Sequence, residues 1–151
     1  HHSSLMHLSF KNQNISSLQL SSNPSLKQIQ SLDLSDNHIS ILSASPQHGI
    51  IALSALTHLD LSRNHLEELC HEWPSTLQYL DVSFNKLKSL SGLESCGRLD
   101  TLIVAHNRIS SVKALGGIMA KRLRLLDASH NIISQVDFNP AYVTALQSLN
   151  L

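Results

Sequence analysis

The chain has 151 residues, enough for one domain with a substantial core, and its 11 Lys and Arg are balanced by 11 Asp and Glu. A net charge of zero supplies no overall field to gather nucleic acid or an anionic membrane, and no apolar run approaches the ~20 residues of a membrane-spanning helix. Two cysteines are too few for a disulfide framework.

His1-His2-Ser3-Ser4 fits no pattern and reads as the remains of a purification tag, so the domain is expected to occupy residues 5–151. From Leu5 an eleven-residue frame recurs, L-x-x-L-x-L-x-x-N-x-(L/I). The first copy, Leu5/Leu8/Phe10/Gln13/Ile15, is weak because glutamine stands at place nine, which predicts an irregular first repeat. Full copies start at 29, 56, 77, 99 and 123, with Asn37, Asn64, Asn85, Asn107 and Asn131 at place nine. Leu146/Leu149/Leu151 opens a seventh copy as the sequence stops without a polar cap, so the expectation is a piece of a longer protein.

Within each copy, places four and six lie on one side of a short strand, because side chains alternate along a strand. One repeat cannot bury them alone. Strands stacked ~4.8 Å apart would merge these sides into one core. Asparagine at place nine, where the chain turns, can both donate to and accept from backbone that no ladder satisfies. The return path keeps an apolar residue at Leu18, Leu42, Leu69, Leu90, Val112 and Val136. The short, glycine-containing segments 91–97 and 113–119 suit single helical or 3₁₀ turns. The extra length of the 27-residue repeat falls in 44–51, expected as a surface loop, and Trp73-Pro74 is expected to pack and close its return segment.

This frame and its spacings of 27, 21, 22 and 24 residues resemble the leucine-rich-repeat family over essentially the whole chain. The resemblance implies an α/β solenoid, a curved right-handed coil with a parallel sheet on its concave face and short helical turns and loops on the convex side. The 21- and 22-residue repeats look most like the SDS22-like class, which implies an intracellular, cytoplasmic protein. Cys70 and Cys96, at different places in their repeats and not clustered at the ends, then read as free thiols, and the sequon Asn14-Ile15-Ser16 as unused.

No nucleotide-binding, C-x-x-C or catalytic-triad pattern is present, so no enzyme activity, cofactor or metal is expected. Asp33, Asp60, Asp81 and Asp127 form a place-five column that Ile103 interrupts, and they match the family's common strand wording, L-D-L-S. His106 and His130, both at place eight, would approach each other within metal-ligand reach, but two further ligands are lacking. Lys121, Arg122 and Arg124 read as a solvated edge.

The function is therefore sought on the outward places two, three, five, seven and eight. Early repeats are polar there. From the third strong repeat, aromatic and aliphatic groups replace Asp and Ser: Tyr79, Phe84, Ile103, Ala105, His106, Leu125 and His130, flanked by His58 and Arg63. Exposed apolar clusters rimmed by charge mark interaction sites, and Asp81, Asp100 and Arg124 complete such a rim with Arg63. The expected partner is another protein or peptide, not nucleic acid or membrane. The module would belong to a scaffold, targeting or regulatory protein, or would regulate an enzyme domain on the same polypeptide. An extracellular receptor ectodomain would require cysteine caps beyond these ends.

Overall fold

A computed structural model describes residues 6–20 and 24–151. The tag-like residues 1–4 and Leu5 lie outside the described residues. Seven parallel strands form one open sheet in sequence order: β1 Met6–Ser9, β2 Ile29–Asp33, β3 His58–Asp60, β4 Tyr79–Asp81, β5 Thr101–Ile103, β6 Leu125–Asp127 and β7 Ser148–Asn150. The strands pair in the register of the frame, so Leu32, Leu59, Leu80, Leu102, Leu126 and Leu149 fall in one row. Five 3₁₀ turns and no α-helix occur among the described residues.

The core is the inner side of this coil. Places one, four, six and eleven of the three central repeats are all buried, and Leu42, Leu69, Leu90 and Val112 close it on the return path. Each leucine buried in this way contributes about 1.5–3 kcal/mol. Trp73 packs as expected, 5% exposed, with its indole N–H donating to the Cys70 carbonyl at 2.8 Å. The ends are less complete. Val136 is exposed, unlike its counterparts, and β1 contains a register shift between Met6 and His7. The Gln13 side chain donates to the Lys11 carbonyl two residues back, while its backbone amide donates to Asn37 Oδ1, so the irregular first repeat is present in the structure.

The 44–51 insertion differs from a plain surface loop. Gly49 is buried, and Ile50 enters the core with no exposed surface. The loop is also tied to the first repeat: the Leu20 amide donates to the His48 carbonyl, and the His48 ring nitrogen Nδ1 meets the Leu20 carbonyl at 2.6 Å. The longer repeat thus supplies an apolar plug that shorter repeats take from Trp73 or Leu93.

The asparagine column stitches neighbouring coils. The Asn85 side-chain N–H₂ donates to the carbonyls of Val82 and Ser83 in its own repeat and of Leu61 in the preceding one, while Oδ1 accepts from the Leu66 amide at 2.9 Å. Asn37, Asn64, Asn107 and Asn131 repeat this pattern. Every buried side-chain nitrogen and oxygen among the described residues has a partner.

Candidate functional site

The outward residues form three columns running across the strands. At place three, His58 and Tyr79 stack with ring centroids 5.6 Å apart, and Thr101 then separates Tyr79 from Leu125. At place five, Asp33, Asp60 and Asp81 are register neighbours, followed by Ile103 and Asp127. Place eight carries a continuous ladder. The Arg63 guanidinium lies 4.1 Å over Phe84, Phe84 stacks on His106 at 4.1 Å, and His106 on His130 at 4.1 Å.

The backbone explains the ladder. Asp36, Arg63, Phe84, His106 and His130 all have φ between 55° and 57°, a left-handed conformation that costs an L-residue about 1–2 kcal/mol. It is tolerated because the chain must leave the strand there while its amides stay paired. The Arg63, Phe84 and His106 N–H groups donate to Ser83, Ala105 and Ser129 in the following repeat. The side chains therefore emerge at one angle and meet face to face. The His106 and His130 rings are stacked, 11° from parallel, and no group of three potential ligands converges among the described residues.

Place seven departs from the sequence expectation. Ser35, Ser83 and Ala105 are buried, at 4%, 6% and 6% exposure, so Ala105 offers no side chain to a partner. The place-seven hydroxyl turns back to the place-five carboxylate: Ser35 to Asp33 at 2.6 Å, Ser83 to Asp81 at 2.6 Å and Ser129 to Asp127 at 2.7 Å. Phe84, His106, His130, Arg63 and His58 are exposed, and Tyr79, Ile103 and Leu125 half-buried. Of the rim, Arg124 and Asp100 pair with each other at 2.8 Å, whereas Asp81 has no cationic partner among the described residues.

Electrostatics concentrate at the middle of the sheet. Burial pushes the Asp81 carboxyl up, and the charges of Asp60 and Asp127 add to this against the hydrogen bonds from Ser83. The Tyr79 phenol is raised by burial and then by Asp81 and Asp60. On the opposite side of the coil Cys96 is buried, and desolvation, with smaller effects of Cys70 and Glu94, pushes its thiol up to about 12 from 9.0. The folded state thus favours the neutral thiol. Stability should be intact below pH 9.0 and decline as the pH rises toward about 12. At about pH 8, Ellman's reagent should label Cys96 only after urea unfolds the chain; rapid labelling of native protein would contradict this burial.

Family models described as leucine rich repeat match residues 54–109 and 28–48, together about half of the chain. The chain is 33% identical to Toll-like receptor 2 of Macaca fascicularis over 85 residues, 54% of this chain and 10% of that protein. It is 31% identical to Podocan-like protein 1 of Mus musculus over 131 residues, 84% of this chain and 23% of the relative. Among solved structures, a leucine-rich-repeat protein of Leptospira interrogans superposes with a TM-score of 0.70 at 23% identity, over 83% of this chain and 31% of that one. The chain therefore spans less than a quarter of the length of these two relatives.

Proposed function

Because the chain belongs to the leucine-rich-repeat family, we propose that it is a protein-binding module that receives a partner protein or peptide on its concave sheet face. One observation carries this reading. The aromatic ladder and the Tyr79/His58 stack stand on a rigid, fully paired sheet, in outward columns where the early repeats show polar side chains. Rigid aromatic anchors lose little conformational freedom on binding, and so dominate interface energetics. The module acts by binding, without catalysis, within a larger scaffold, targeting or regulatory protein. Repeats of 21 and 22 residues and the free cysteines support the SDS22-like, cytoplasmic reading.

A second reading, part of a receptor, is favoured by the identity to Toll-like receptor 2 and by the exposed side chain of Asn14 in its sequon. Expression in secretory cells separates the two: a glycan mass on Asn14 together with surface display supports the receptor.

The Tyr79→Ala/Phe84→Ala double variant tests the docking face. Affinity capture from the source cells, read by mass spectrometry, should lose the partners that the parent protein retains, while the melting temperature changes little because both side chains lie outside the core. Unchanged capture would overturn the assignment of this face.

A further inference from the structure

Away from the concave sheet, the return path of the repeat that starts at Leu123 contains Asn139-Pro140-Ala141-Tyr142, which the docking face does not use. Proline presets the backbone for the second position of a tight turn, and asparagine favours the first. The structure forms that turn. The Tyr142 amide donates to the Asn139 carbonyl at 3.0 Å, and Asn139 Oδ1 accepts from the Ala141 amide at 3.0 Å. The resulting 3₁₀ turn, Pro140–Tyr142, contains no buried residue, and its tyrosine is 52% exposed.

The approach to the turn is open as well. Ser134, Gln135 and Val136 are exposed, although the counterparts of Val136 in the two preceding repeats, Leu90 and Val112, are buried. The backbone of residues 133–136 makes no hydrogen bond among the described residues. Directly after it, the Asp137 carboxylate is fastened to the preceding coil, accepting from the Ser111 hydroxyl at 2.6 Å and the Val112 amide at 2.9 Å. The segment is thus held in place while its own amides and carbonyls remain available for pairing.

We propose that residues 133–142 are a docking motif for a phosphotyrosine-binding-type domain of another protein, which adds the segment to an open edge of its own sheet and receives the Tyr142 ring at the turn. Strand addition takes affinity from main-chain hydrogen bonds and specificity from side-chain pockets. Residues 133–136 supply the unpaired backbone, and Val136 and Tyr142 the apolar and aromatic anchors. A turn already closed by Asn139 loses little freedom on binding. The motif is separate from the concave face, so its failure would leave that docking face untouched.

The test is an isothermal titration of the 151-residue chain with a recombinant phosphotyrosine-binding domain that accepts unphosphorylated Asn-Pro-x-Tyr peptides. Binding should saturate, and a synthetic peptide of residues 132–144 should compete for the same domain. Tyr142→Ala should weaken binding at least about tenfold, as for an aromatic anchor. Asn139→Ala, which opens the turn, should act in the same direction, whereas Tyr79→Ala/Phe84→Ala should bind as the parent does. Asn139 and Tyr142 are exposed, so unchanged melting temperatures separate lost recognition from lost fold. Tyr142→Ala within the peptide should also abolish competition, a readout that needs no fold. Absence of saturable binding, full binding by Tyr142→Ala or Asn139→Ala, or binding by the peptide and not by the folded chain would overturn the proposal. Loss of binding by Tyr79→Ala/Phe84→Ala would move the contact to the concave face and overturn it too.

Discussion

Asn85→Ala lowers the stability of the fold by about 3 kcal/mol, seen as a fall of roughly 6–12 °C in melting temperature by circular dichroism. The magnitude follows from what is left behind. Alanine leaves the Leu66 amide without its acceptor and the Leu61 and Val82 carbonyls without the Asn85 donor, in a region where Asn85 itself is only 8% exposed. A buried donor or acceptor stripped of its partner costs about 1–3 kcal/mol, more than an average hydrogen bond contributes, because no water replaces it. Asn85→Asp separates the two halves of the side chain: it keeps an acceptor for Leu66 and loses all three donations, placing negative charge against carbonyl oxygens. It should therefore be no more stable than alanine at neutral pH. An unchanged melting curve for Asn85→Ala would remove the stitching role of the column.

Gly92→Ala should destabilise by about 3 kcal/mol or more, for reasons independent of any lost contact. Gly92 has φ +112°, a conformation closed to side chains, and a Cβ there would stand 2.4 Å from the carbonyl oxygen of Cys70 in the preceding repeat. That oxygen belongs to the backbone and also accepts the Trp73 indole, so it cannot retreat without disturbing a buried aromatic residue. The strain and the clash act on the contact between two coils. Urea denaturation should show a lower midpoint with loss of Trp73 burial, followed by its fluorescence. Wild-type stability would mean that the two coils can separate at this point at no cost.

How far the sequence revealed this molecule depends on what each residue type can report. The frame located all seven strands because burial with a period of two leaves a direct mark on Leu80, Val82 and their equivalents. The asparagines were legible for the same reason, since a recurring amide at a turn has few other uses. Place seven was misjudged as outward, although it held only Ser35, Ser62, Ser83, Ala105 and Ser129. Restriction to small residues is itself the sign of a confined site, and the serines' pairing with aspartate explains the confinement. The left-handed turn at place eight had a fainter trace in Asn12 and Asp36, types that tolerate positive φ, while Arg63, Phe84, His106 and His130 concealed it. The burial of Ile50 was not readable, because an insertion breaks the periodicity that identifies core positions elsewhere.

The ladder's spacing has a mechanical meaning. Phe84, His106 and His130 stand 4.1 Å apart, whereas the strands that carry them repeat at ~4.8 Å. The place-eight rings are thus closer together than the usual strand spacing, whereas His58 and Tyr79, at place three of the same face, stand 5.6 Å apart. Any motion that separates neighbouring coils at place eight must pull these rings apart. The stack is in this sense a built-in strain gauge, whose ring-current shifts would register a change in the spacing of neighbouring coils.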